Sequence, residues 1–272
     1  MIVLENISKS FDEGRSYAVR DVSVSVARGA SLALVGLSGS GKTTCLRMVN
    51  RLTEPTSGRV LVDGRDVAGR DPVELRRSIG YVFQDVGLFP HWTIEQNVGA
   101  VLRLQGWTRA RRRSRAEELL ELVGLDPEQM GGRLPGALSG GQRQRVGVAR
   151  ALAAEPGVLL MDEPFGALDP LTRDELQGEV ERIRARTGVT LVLVTHDLAE
   201  AVRLGDRVGV MHGGRLVQEG TPREVLDTPA DDYVAALVAA PRRQAALVAG
   251  PAEPASGGPG RHGDRGRGGA IA

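Results

Sequence analysis

Apolar and polar positions along residues 2–238 fall into short strand-like runs and longer stretches with helical spacing. Ile2–Ile7, Tyr17–Val26, Ser31–Val35 and Arg59–Val62 are rich in β-branched and apolar residues and are bounded by turns, as strands are. Val158–Met161 and Leu191–Thr195 are apolar almost throughout, the pattern of strands covered on both faces. Helical spacing runs through Thr43–Leu52, Arg109–Val123, Gly141–Ala154 and Leu198–Leu204. A strand followed by a helix recurs along the chain. That order predicts an α/β fold with a mostly parallel sheet and helices on its faces. No apolar run approaches the ~20 residues a bilayer-spanning helix needs.

Composition changes this picture at one place. Residues 250–272 hold eight Gly and three Pro, too little apolar surface to offset the entropy of ordering. A disordered Gly/Pro/Arg-rich tail over 241–272 is therefore expected after a single folded unit spanning 2–238. Elsewhere 41% hydrophobic and 25% charged residues describe an ordinary globular chain, and 272 residues can bury a full core. A net charge of +1 gives no electrostatic case for nucleic acid. The arginines of Arg109–Arg115 lack interleaved aromatics and read as a solvated helix face. A single cysteine, Cys45, excludes an intramolecular disulfide and reads as a small apolar filler in a helix. Met1–Glu5 has neither the charged start nor the apolar stretch of a signal peptide, so a cytoplasmic protein, held at a membrane only by a partner, is expected.

Candidate chemistry begins at Gly36-Leu37-Ser38-Gly39-Ser40-Gly41-Lys42-Thr43, which fits G-x-x-x-x-G-K-[ST] between a strand and a helix. Glycines let successive backbone N–H groups curl inward around phosphate, and the following helix aims its partial positive end at the same place. Lys42 adds a point charge for the β- and γ-phosphates and the Thr43 hydroxyl a Mg²⁺ ligand; Thr44 joins them as a phosphate-binding candidate. The strand Val158–Met161 ends in Asp162 and Glu163, at the carboxyl edge where open α/β sheets bind ligands. Asp162 is placed to hold Mg²⁺, and Glu163 to polarise an attacking water as general base or positioner.

A further segment, Leu138-Ser139-Gly140-Gly141-Gln142, continuing into Arg143-Gln144-Arg145-Val146, resembles the signature of the ATP-binding cassette (ABC) superfamily. In local terms it is an N-cap serine with glycines opening a helix, the geometry with which helix N-termini bind phosphate. The resemblance extends over nearly all of residues 2–238. It implies that Gln84 senses Mg²⁺ and links the site to a membrane partner, and that Ala167-Leu168-Asp169 contacts an opposite subunit. It implies also that His196 contacts the γ-phosphate. Phe11 occupies the place of the aromatic that stacks on adenine, worth ~1–3 kcal/mol by analogy with other base stacking, and Tyr17 is the weaker candidate. The implied fold is a P-loop NTPase of the ABC ATPase type, with an antiparallel β subdomain and a helical subdomain over about 85–155 carrying the signature. ATP and Mg²⁺ are the implied cofactors. Two composite sites are implied in a head-to-tail dimer, each ATP lying between Gly36–Thr43 of one chain and Ser139–Gln142 of its mate.

Longer stretches, among them Met48–Leu52, Glu54–Gly58, Asp71–Tyr81 and Gly87–Ile94, resemble the ATPase subunits of importers for glycine betaine, choline and carnitine. Implied partners are a second copy of the chain or a paralogue, integral membrane permease subunits facing Gln84–Trp92 and, indirectly, a substrate-binding protein, with the ATPase peripheral on the inner face of the membrane. Many members of that group carry C-terminal CBS domains where this chain has its Gly/Pro/Arg tail. An amino-acid importer subunit, an exporter subunit and a non-transport ABC ATPase remain alternatives at this stage.

Overall fold

A computed structural model describes residues 1–239; the tail expected over 241–272 lies outside the described residues. In chain order the first elements are β1 (Ile2–Lys9), β2 (Val19–Val26), β3 (Ser31–Val35), α1 (Lys42–Val49), β4 (Ser57–Val62), β5 (Arg65–Asp66), α2 (Pro72–Ser78) and β6 (Ile79–Val82). A helical stretch follows, with α3 (Ile94–Val98), α4 (Ala100–Leu104), α5 (Arg109–Leu122), α6 (Pro127–Met130) and α7 (Gly140–Leu152). The chain returns to strands with β7 (Val158–Asp162), then α8 (Pro170–Thr187), β8 (Thr190–Thr195), α9 (Leu198–Leu204), β9 (Arg207–His212), β10 (Arg215–Gly220) and α10 (Pro222–Asp227). A last helical segment begins at residue 232.

Two sheets form. The smaller is antiparallel, in the order β2-β1-β4-β5; the larger runs β10-β9-β3-β8-β7-β6, parallel except for β10. Every residue of β3, β7 and β8 is buried. The reason is that each face of the large sheet meets its own core. Leu32, Leu34, Leu160 and Val194 join α1 and the small sheet, whereas Ala33, Val35, Met161 and Leu193 join α5, α7, α8 and α9. Each fully buried Leu or Val contributes about 1.5–3 kcal/mol, so these continuous apolar runs are the strongest determinants of the sheet.

Register decides where chemistry can sit. Val35 pairs with Thr195 and with Val210, Asp162 with Val194, and Val82 with Met161. Four adjacent strands therefore end side by side, and Gly36, Phe83, Glu163 and His196 follow directly on those ends. Between the neighbours β6 and β7 the chain departs over residues 83–157 and forms only helices there. This excursion is tied back by Arg145 of α7, which donates to the carbonyl of Val123 (3.0 Å) and pairs with Glu179 and Glu175 of α8.

Two features depart from the sequence reading. The helix after the phosphate loop stops at Val49 rather than Leu52, because Asn50 closes it and Arg51 takes a left-handed conformation with φ of 54°. The sequence pattern does not mark α8, the longest helix among the described residues, or strands β6, β9 and β10. No helix among the described residues is long and apolar enough to cross a membrane.

Candidate functional site

The loop from Gly36 to Gly41 leaves β3 and turns into α1. Gly36 and Gly41 have φ of 156° and 101°, and a Cβ on either would lie 2.2–2.3 Å from a backbone carbonyl oxygen, of Met211 and of Ala18 respectively. Only glycine fits at these two places. The loop curls around the Lys42 ammonium, which donates to the carbonyls of Gly36 (2.8 Å) and Leu37 (2.9 Å) and to the Ser40 hydroxyl (3.4 Å). Burial pulls the Lys42 pKa below its ordinary value, and the carboxylates of Glu163 and Asp162 oppose that shift. A cationic side chain sits on neutral carbonyls at the N-terminus of a helix, with two carboxylates nearby. This is a cradle suited to an anion.

Beside it, the Thr43 hydroxyl donates to Asp162 Oδ1 (2.7 Å) and the Tyr81 hydroxyl to Oδ2 (3.2 Å). Burial first, then the Asp162 charge, raises the Tyr81 pKa, so Tyr81 remains a donor at neutral pH. Glu163 has φ of 45°, a strained conformation for a side-chain-bearing residue. It is held there by its N–H, which donates to the carbonyl of Val194 (2.9 Å). The Glu163 carboxylate faces His196, Nδ1 to Oε2 being 3.2 Å. Leu37, Ser38, Gly39, Gly41, Lys42, Thr43, Thr44, Gln84, Glu163 and His196 all line one cleft of about 600 Å³. Thr43, Asp162 and Gln84 offer oxygen donors only, the hard set suited to Mg²⁺. Among the described residues no group of three or more His, Cys, Asp or Glu could enclose a metal alone. An ion here would take its remaining ligands from phosphate and water, as Mg²⁺ commonly does.

The remaining candidates lie outside that cleft. Ser139 caps α7, its Oγ accepting from Gln142 N–H (3.2 Å) while Gln142 Oε1 accepts from Ser139 N–H (2.9 Å). The two glycines differ in purpose: a Cβ on Gly141 would lie 2.3 Å from Thr172 Cγ2, whereas one on Gly140 would meet nothing closer than Arg143 Nη2 at 4.0 Å. Asp169 caps α8 by accepting from Thr172 N–H (3.0 Å), and that bond holds its carboxyl below the usual range. Phe11 is 71% exposed under the Lys9 ammonium, and Tyr17 lies beneath the Arg20 guanidinium; Ala18, next to Tyr17 in the chain, lines the cleft and neither aromatic does.

Three contacts escaped the sequence reading. Tyr81 orients Asp162 from the neighbouring strand. Arg173 of α8 donates to the carbonyl of Leu168 (3.3 Å) and lies 3.5 Å from Asp197, joining the 167–169 loop to the segment bearing His196. Arg150 donates to the carbonyls of Val86 and Gly87 and fixes the turn after Gln84. None is marked by a local pattern, since Tyr81 with Asp162, Arg173 with Asp197 and Arg150 with Val86 each join residues tens of positions apart.

Residues 19–166 match the family model described as ABC transporter. The choline transport ATP-binding protein OpuBA of Bacillus subtilis (strain 168) is 51% identical over 234 residues, covering 86% of this chain and 61% of that protein. This chain thus spans under two thirds of that relative. The glycine betaine uptake system ATP-binding protein YehX of Escherichia coli (strain K12) is 50% identical over 234 residues, covering 86% of this chain and 75% of that protein. Among solved structures, a dimeric post-hydrolysis state of the ATP-binding cassette MJ0796 bound to ADP and Pi aligns with a TM-score of 0.75 and 34% identity, covering 82% of this chain and 99% of that one. With a phosphate loop, a carboxylate pair and a signature segment set on this sheet, the chain belongs to the ABC transporter family of ATP-binding cassettes.

Proposed function

We propose that this chain is the ATP-hydrolysing subunit that energises an ABC importer for quaternary ammonium osmoprotectants such as glycine betaine, choline or carnitine. One observation carries the catalytic part of the reading. Lys42, Thr43, Gln84, Glu163 and His196 share a cleft, while Ser139–Gln142 stand apart from it with Gly140 facing open space. A single chain then holds two half-sites, and a head-to-tail dimer completes both.

In this reading Gly36–Thr44 bind the triphosphate, with Lys42 leaving its carbonyls for the β- and γ-phosphates. Phe11 stacks on the adenine. Thr43, Asp162 and Gln84 would hold a Mg²⁺ ion, which would supply positive charge against the phosphates. Glu163 orients and deprotonates the attacking water, and His196, held against it, contacts the γ-phosphate. Ser139, Gly140, Gly141 and Gln142 close on the nucleotide from the opposing chain, with Asp169 at the seam. Cleavage splits the charge that bridged the two chains and lets them part, and that motion drives the permease. The loop after Gln84 is suited to pass it on. Phe83, Gly87 and Phe89 line a groove of about 340 Å³ with Val101 and Leu104, and Phe83, Phe89 and Leu104 are exposed. An apolar surface of this kind marks an interaction site, and a permease at the inner face of the membrane fits it.

The cargo class rests on the names borne by relatives about half identical to this chain. The test is to purify the chain with its membrane subunits and follow ATP turnover in vesicles as glycine betaine, choline, carnitine or single amino acids are supplied. Stimulation by a quaternary amine is expected. Stimulation by an amino acid alone would overturn the cargo class, and absence of ATP turnover would overturn the whole reading.

A further inference from the structure

The phosphate loop is braced from behind by segments far from it in sequence. The carbonyl of Ser40 accepts from Gly214 N–H (3.2 Å) in the β9–β10 turn, and Met211 O abuts Gly36. The third brace comes from the last helical segment. Tyr233 stacks on His212 at a ring separation of 3.8 Å, and its hydroxyl accepts from the N–H of Leu37 (3.1 Å). The same hydroxyl lies 3.5 Å from Met211 O, the acceptor for its own proton. Asp231 starts that helix by accepting from Val234 N–H (2.9 Å), and Val234 and Val238 are buried in the main core. Tyr233 is thus presented by a well-anchored element.

Leu37 supplies one of the two carbonyls on which the resting Lys42 sits. Its carbonyl accepts from Lys42 Nζ and from Ser40 N–H (3.2 Å), while its N–H is taken by Tyr233. Neither the Tyr233 bond nor the Ser40 bond involves the ammonium, so both can hold Leu37 when Lys42 leaves for another anion.

We infer that Tyr233 is a positioning residue for nucleotide binding, which holds the phosphate loop in its receptive shape through the Leu37 N–H. The inference rests on the reading of the cleft as an ATP site. Tyr233 reaches the cleft only through Leu37 and contacts none of the reacting groups, so its removal should change affinity and leave the chemical step alone. One hydrogen bond of this kind is worth about fivefold in an equilibrium constant.

The experiment compares wild type and Tyr233→Phe, full length, for binding of a fluorescent ATP analogue and for KM and kcat of ATP turnover. His212→Ala, which leaves the hydroxyl and removes its stacking partner, is measured alongside. Tyr233→Phe is expected to raise Kd and KM about fivefold at nearly constant kcat, and His212→Ala to raise them by less. A lowered melting temperature with unchanged Kd and KM would make Tyr233 merely structural and overturn the inference, as would an equal fall in kcat. Wild type that binds no ATP analogue would overturn the reading of the cleft itself, a result distinguishable from the first.

Discussion

Gly140→Asp separates folding from function in a single side chain. Residue 140 opens α7, a 13-residue helix with no acidic residue in its first turn. A carboxylate there meets the positive end of the helix, a gain of about 0.3–1 kcal/mol. Steric cost is absent, because a Cβ meets only Arg143 Nη2 at 4.0 Å, and an Asp–Arg pair three residues apart adds about 0.2–0.5 kcal/mol. The isolated chain should therefore melt no lower than wild type. The dimer should fare differently. A carboxylate about 5 Å from a phosphate charge costs roughly 3 kcal/mol at an effective dielectric near 20, more than a hundredfold in closure. The assay is light scattering with ATP, paired with turnover and thermal melts. Gly141→Ala supplies the contrast. Its Cβ would lie 2.3 Å from Thr172 Cγ2, and such overpacking costs about 1–3 kcal/mol in the monomer. A Gly140→Asp protein that hydrolyses ATP normally, or that loses activity only in step with its melting temperature, would refute the reasoning.

Glu163→Gln keeps the fold and the His196 contact but removes the proposed base; turnover should fall about 10²–10⁴-fold while ATP still binds and the dimer persists, as size-exclusion chromatography with ATP would record. Arg145 is buried against Glu179, and Arg145→Ala leaves that carboxylate with only the exposed Arg182 guanidinium at 4.0 Å; a loss of about 3–5 kcal/mol is expected in denaturant unfolding, far more than for Glu175→Gln at the exposed end of the same cluster. Burial pushes the Glu200 carboxyl up from 4.5, against the donated Thr195 hydroxyl. The folded state therefore holds this proton longer than the unfolded chain, and the associated stability is full below pH 4.5 and lost as pH rises through the folded value. Thermal melts from there to neutrality should show that decline in wild type and a flatter profile in Glu200→Gln.

Much of the candidate site is legible because its residues carry strong local patterns. The buried strands ending in Val35, Asp162 and Thr195 are apolar runs bounded by chemistry-bearing residues, and a parallel sheet aligns such ends automatically. The helix α8 was not legible. Its inward face mixes Leu176, Val180 and Ile183 with the buried polar residues Gln177 and Glu179, and the reason for tolerating Glu179 is Arg145, more than thirty residues earlier. Strand β6 was hidden for another reason: four residues, Ile79–Val82, are too short for periodicity to register. The brace on Leu37 could not be read at all, since nothing near Tyr233 in the chain announces that its hydroxyl reaches a loop almost two hundred residues away.

In the proposed head-to-tail dimer Gly140 and Lys42 belong to different halves of each completed site, so defects in them should be mutually repairable. A chain lacking only the lysine, paired with one spoiled only at the glycine, would assemble one wholly damaged pocket and one wholly intact pocket. Coexpression of two individually inactive proteins could then restore measurable transport, a form of genetic complementation that an enzyme with a self-contained site does not permit.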